Sequence, residues 1–138
     1  MLTLQHVTIN TKDLEKSMEF YEEVFSFIRA ERPDFSFAGA WYWIEPEVTM
    51  LHLQHKNLYT LEPYAGFSKV DHIALDASEP GETIADEHKR WSEFLASDEI
   101  LSKWSLKVRF HTFNLQMAEQ IFITDPINHV VWELNFPK

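Results

Sequence analysis

Apolar and polar positions alternate at the start of the chain. Across residues 2–10, Leu4, His6 and Thr8 share one face, and Val7 and Ile9 share the other. A period of two predicts a strand. The period then changes. In "KDLEKSMEFYEEVFSF", Leu14, Met18, Tyr21 and Phe25 recur at helical spacing, and Asp13 stands where an N-cap is needed. Residues 27–31 predict a short strand, and "GAWYWIEPEVTMLHLQH" predicts two strands around a turn at Glu45 to Glu47. The stretch "KNLYTLEPYAGFS", with Pro63 and Gly66, reads as a connection.

A second cycle follows. "KVDHIALDA" predicts a strand. Residues 82–96 predict a helix with Ile84, His88, Trp91 and Leu95 on one stripe, and residues 98–104 a further helical turn. "LKVRFH", "MAEQIFITD" and "HVVWELNF" predict strands, the last two joined by "DPIN", where Asn128 can take the left-handed conformation of a tight turn. The order is β-α-β-β-β, twice. This is a repeat of structure rather than of sequence identity, and the expected class is α+β.

The repeat singles out four ionisable residues. His6 and His72 open the two halves, and His52 and Glu133 lie on their last strands. In every strand the ionisable residue stands on the more polar or smaller face. His52 opposes Leu51 and Leu53, and Glu133 opposes Trp132, Leu134 and Phe136. A glutamate in such surroundings is costly to bury unpaired. A divalent metal would reconcile it with three imidazoles, because neutral imidazole and carboxylate oxygen are its usual ligands. Taken singly, each of the four also reads as a structural or surface side chain, and Glu133 as a carboxylate paired with Lys or Arg.

Composition narrows the partners. The chain has 138 residues, no cysteine and a net charge of −10. That length suits one domain with a real core. Without cysteine there is no disulfide framework and no thiolate zinc site. An acidic surface repels phosphate backbones and anionic lipid, so neither nucleic acid nor membrane is an expected partner. "MLTLQHVTIN" lacks the features of a signal peptide, and a cytoplasmic location is the expectation.

The motifs in this order resemble the vicinal-oxygen-chelate superfamily of glyoxalases, bleomycin-resistance proteins, fosfomycin-resistance enzymes and extradiol dioxygenases. "LQHVTINTKDLEKSMEFYEEVFSF" resembles the family's opening strand and helix, and "FAGAWYWIEPEVTMLHLQH" its hairpin. "VDHIAL" resembles the second opening, and "IFITDPINHVVWELNF" the closing hairpin. The resemblance implies one glyoxalase-like domain over residues 1–138, with module one at about 1–56, a crossover at 57–68 and module two at 69–138. It implies two βαβββ modules forming a curved mixed sheet around a cleft, helices outside, in a homodimer. It places a divalent ion (Ni, Zn, Co, Mn or Fe) on His6, His72 and Glu133, with His52 as a fourth ligand.

The implied activity is of lyase or isomerase type on a small substrate that chelates the metal through adjacent oxygens, with Glu133 as general base. Thr8 matches the fosfomycin enzymes. Trp41 and Trp43 share one parity and Tyr42 and Ile44 the other, so one pair lines the cavity or the dimer contact and the other the core; Trp41 and Trp43 are taken as the substrate-side pair. Three-ligand alternatives are an extradiol-type dioxygenase and a fosfomycin-type transferase. A non-enzymatic, bleomycin-resistance-like drug binder and a vestigial site stand beside them. Ser26 occupies a position where many members have glycine. No arginine lies in "FNLQMAEQIF", where some members carry a substrate-binding basic residue. His55, His88, His111 and His129 read as surface or structural, and Glu15, Glu19, Glu22 and Glu23 as a solvated helix face.

Overall fold

The computed structural model describes residues 2–55, 70–112 and 117–137. The expected connection at 56–68 therefore lies outside the described residues. The chain divides into two compact units, Met1–Ala65 and Gly66–Lys138.

The first unit runs β1 (His6–Thr11), α1 (Leu14–Val24), β2 (Ile28–Ala30), β3 (Gly39–Glu45) and β4 (Thr49–His55). Its four strands form one mixed sheet in the order β1-β4-β3-β2, with β1 parallel to β4 and the other pairs antiparallel. The helix begins where Asp13 caps it, its carboxylate accepting from the Lys16 N–H at 3.1 Å. The buried stripe is Ser17, Phe20, Tyr21 and Val24. It is rotated from the expected stripe, since Leu14 and Met18 are only half-buried. Ser17 earns its buried place through a 2.8 Å hydrogen bond with the Thr11 hydroxyl.

Against α1 lie Ile9, Leu51, Leu53, Ala40 and Tyr42, all buried. Tyr42 brings a hydroxyl into this core and donates it to Glu22 Oε1 at 2.7 Å. Arg29 reaches the same carboxylate at 3.5 Å. Burial, and then Glu22, pushes the Tyr42 phenol well above its ordinary range. Glu22 is therefore an anchoring residue and not simply part of a solvated face.

The second unit runs β5 (Ile73–Asp76), α2 (Ile84–Leu95), α3 (Asp98–Trp104), β6 (Lys107–Thr112), β7 (Met117–Thr124) and β8 (Val131–Pro137). Its sheet has the order β5-β8-β7-β6, again with the first pair parallel and the rest antiparallel. Trp132, Leu134, Phe136, Ile121 and Ile123 form the buried face, with Leu95, Ile100 and Trp104 supplied by the helices. Buried Glu87 on α2 accepts from the Glu79 N–H. His88 is structural, packed edge-on against Phe110 and Phe136.

Both units thus follow the β-α-β-β-β order, with α3 added in the second. The "DPIN" turn differs from expectation in one detail. The left-handed residue is His129, at φ 62°, and not Asn128. Asp125 instead uses Asn128 as a side-chain donor at 2.9 Å and accepts from the N–H groups of Ile127 and Asn128. Among the described residues, no helix is long and apolar enough to cross a membrane.

Candidate metal centre

The face of each sheet turned away from its helices carries the candidate ligands. In the first unit, strand pairing places Thr8 beside His52 on one side and Trp41 beside it on the other. His6 lies two residues before Thr8 and so shares the face. In the second, Ala74 and Phe122 flank Glu133, and His72 lies two residues before Ala74. The two halves therefore use the same offset: a histidine two residues ahead of the position paired with the second ligand. The histidines open the strands rather than sit inside them, since β1 begins at His6 and β5 just after His72.

The surroundings of the two pairs differ. His52 is sandwiched between two flat rings. Its centroid lies 4.1 Å from Trp41 at 5° and 4.3 Å from His6 at 11°. Its Nε2 is buried without a hydrogen-bond partner among the described residues. Burial, then the neighbouring His6, then Arg32 push its imidazole below the ordinary 6.5. A neutral ring with an unused buried nitrogen is what a metal ligand requires.

Lone pairs lie in the ring planes, and the planes of His6 and His52 are nearly parallel. The two nitrogens therefore run side by side and do not converge on a point about 2.0–2.1 Å from each, the usual metal–nitrogen distance. Exposed His6 has to turn out of the stack for both to reach one ion.

His72 sits between carboxylates. Its Nε2 is 2.8 Å from Glu133 Oε2 and its Nδ1 is 2.7 Å from Asp71 Oδ2. The geometry suits an imidazolium with both N–H groups donating, or a cation in place of the Nε2 proton with Asp71 fixing the tautomer from behind. Glu133 is 5% exposed. Its other oxygen accepts from Gln120 Nε2, which also donates to Asn135 Oδ1 at 2.8 Å. His72 meets the Phe122 ring edge-on, and Arg109 lies over that ring at 4.6 Å.

The structure thus pairs His6 with His52 and His72 with Glu133. Among the described residues, no three His, Asp or Glu side chains already surround one point. The donor set fits a divalent ion of borderline or hard character, with imidazole nitrogen and carboxylate oxygen and no sulfur. Thr8 is exposed next to His52, and Trp43 is half-buried on the same face opposite Met50 and Ile28.

Sequence reasoning missed Asp71, Gln120, Asn135, Arg109 and Arg32. Asp71 was readable as the neighbour of His72 in "VDHIAL". Gln120 becomes readable once the β7–β8 register, Phe122 opposite Glu133, is known.

Two βαβββ units, each with a histidine and a second candidate ligand at matched register, are the arrangement of a glyoxalase-fold protein. The family model for the Glyoxalase/Bleomycin resistance protein/Dioxygenase superfamily matches residues 3–134, and the chain belongs to that family. No curated protein matches it in sequence.

Solved structures with the same fold include a fosfomycin resistance protein FosX variant from Listeria monocytogenes, complexed with Mn(II) and dihydroxypropylphosphonic acid. It has a TM-score of 0.68 and 14% identity, over 100% of this chain and 94% of that one. FosX from Mesorhizobium loti gives 0.63 and 20% identity over 100% and 94%. Lactoylglutathione lyase from Agrobacterium tumefaciens gives 0.63 and 14% over 98% and 93%. At these identities the likeness is one of fold.

Proposed function

We propose that the chain is a divalent-metal-dependent enzyme of the glyoxalase type, with lyase or isomerase activity on a small substrate that carries adjacent oxygens. The carrying observation is Glu133. A carboxylate on the sheet face turned away from the helices, buried and held by His72 on one oxygen and Gln120 on the other, is costly for folding alone. His6, His52, His72 and Glu133 are the proposed ligands, drawn from one chain or from two copies of a homodimer in the cytoplasm.

When bound, the ion supplies Lewis-acid stabilisation of charge on the two substrate oxygens. The chain's own residues do the rest. His52, kept neutral, offers a lone pair without first losing a proton. Asp71 fixes which nitrogen of His72 faces Glu133. Glu133 is the general base, its Oε1 held by Gln120 and its Oε2 turned towards His72. Thr8, Trp41 and Trp43 form the polar and aromatic wall beside His52.

Elemental analysis of purified protein, with Mn, Ni and Zn titrations of the wild type, His52→Ala and Glu133→Gln, tests this reading. The expected outcome is stoichiometric metal in the wild type and a marked loss of affinity in both variants. No metal binding near neutral pH would overturn it and favour a drug-binding protein. A fosfomycin-type reaction is the second reading. It is favoured by Thr8 and by the Arg109 guanidinium, which restores to the Glu133 face the basic charge missing from "FNLQMAEQIF". Turnover of an epoxyphosphonate, compared with a hemithioacetal of glutathione, separates the two.

A further inference from the structure

The segment between β2 and β3, "ERPDFSFA", is not used by the metal chemistry, yet it is built with care. The Arg32 guanidinium lies 4.9 Å from the Phe35 ring and 5.1 Å from Phe37, and those rings stack on each other at 5.3 Å and 14°. Arg32 Nη2 donates to the Phe37 carbonyl at 2.7 Å. The guanidinium also rests against Gly39. A Cβ there would meet Arg32 Nε at 3.1 Å, Nη2 at 3.2 Å and the Leu53 carbonyl at 2.5 Å. A backbone with no side chain thus forms the floor under the charge.

Phe35 and Phe37 are 42% and 38% exposed, so they are held out to solvent rather than spent on the core. Phe35 leans on Trp41 at 6.0 Å, and Trp41 stacks on His52. One aromatic surface therefore runs from the candidate ligand to the arginine.

Arg32 also stands out electrostatically. The chain has 22 acidic and 12 basic residues, yet among the described residues no carboxylate lies within ion-pair distance of Arg32. A guanidinium has five N–H donors, and among the described residues one bond from it is made, to the Phe37 carbonyl. A planar fork of donors matches a carboxylate, and flat rings beside it match an apolar, planar body.

We infer that Arg32, fixed by Phe35, Phe37 and Gly39 beside the Trp41–His52 stack, is a specificity subsite that selects a flat organic acid, its carboxylate on Arg32 and its ring along Phe35 and Trp41. The inference rests on the proposed metal reading only for what the far end of the substrate does, where adjacent oxygens face the ligands.

The probes are 3,4-dihydroxybenzoate, which carries a carboxylate at one end of a ring and adjacent oxygens at the other, and its uncharged amide. Calorimetry measures both on the full chain, with and without Mn(II). Wild type is expected to bind the acid about tenfold more tightly than the amide, the size of a charge-assisted contact in partly exposed surroundings. Arg32→Gln brings that ratio close to one and leaves Mn(II) affinity unchanged. Arg32→Lys restores part of it, and Phe35→Ala weakens both probes together. Circular dichroism confirms that the variants fold.

Equal affinity for acid and amide, no binding of either, or a preference that survives Arg32→Gln and disappears in Arg109→Gln overturns the assignment. The two readings fail separately. Loss of the acid preference with Mn(II) binding intact removes the subsite alone. An Arg32-dependent preference in a protein that binds no Mn(II) removes the metal reading alone.

Discussion

Replacing Gln120 by alanine probes the least legible part of the site. Gln120, Glu133 and Asn135 are 7%, 5% and 9% exposed, so water cannot easily take the place of the amide. The substitution removes a hydrogen bond to a buried carboxylate and a second, at 2.8 Å, to a buried amide oxygen. A bond to a charged group contributes about 1.5–3 kcal/mol and a neutral one about 0.5–1.5. The metal-free protein should lose about 2–4 kcal/mol, read as a lower denaturant midpoint at constant slope.

Metal affinity should fall about 10–100-fold, because Gln120 is what keeps Glu133 Oε2 turned towards His72. Both effects should be non-additive with His72→Ala, since the two residues grip the same carboxylate. Chelator competition and urea titration on the four proteins of the cycle supply the numbers. An unchanged midpoint together with an unchanged metal affinity in Gln120→Ala would refute the claim that this amide organises the carboxylate.

Acid should weaken the protein partly through His52. Above pH 6.5 its ring is neutral in both folded and unfolded chains and contributes nothing to the pH dependence. As pH falls through 6.5 the unfolded chain binds the proton first, and stability declines until the folded ring is protonated too. His52→Gln should flatten that limb of a stability–pH curve, and an unaltered limb would count against it. Gly39→Ala should cost about 1–3 kcal/mol, because the new methyl would lie 2.5 Å from the Leu53 carbonyl in the paired strand; thermal melting checks it. Tyr42→Phe should cost about 1–2 kcal/mol by the same assay, through loss of the bond to Glu22. Ser26 has φ 54°, so Ser26→Gly should raise stability by about 0.5–1 kcal/mol, and a lower melting temperature would contradict that reading of the helix end.

The periodicities carried most of the fold. Strands with one greasy face, such as "MLHLQH" and "VVWELNF", declared both their register and their direction, because a one-residue slip would bury His52 or expose Trp132. Helix stripes were less legible. Tyr21 was found, but Ser17 was not, because its burial depends on a hydroxyl partner from a different element. Glu22 escaped for a similar reason. Its role is set by Tyr42, twenty residues away, and nothing local distinguishes it from Glu19 or Glu23. Arg32 and Arg109 were illegible as candidate site residues because what singles them out lies in ring contacts across strands and loops.

The matched offsets of the two units explain why a histidine recurs, but not why the two histidine environments diverge. A duplicated backbone fixes only where a side chain stands. In the first unit the position between Thr8 and Trp41 holds a ring, and its neighbours are rings. In the second the equivalent position between Ala74 and Phe122 holds a carboxylate, and its neighbours are donors. The first therefore lowers proton affinity and leaves a lone pair, while the second concentrates negative charge. Two copies of the first half would give four imidazoles, and two copies of the second would give two imidazoles and two carboxylates. On the proposed reading, one of each kind would offer a divalent ion three neutral ligands and one charged ligand, leaving it one positive charge with which to polarise a substrate oxygen. Converting Glu133 to His would complete the symmetry and should abolish turnover even where metal is retained, because a complex with full retained charge has no carboxylate left to accept the substrate's proton.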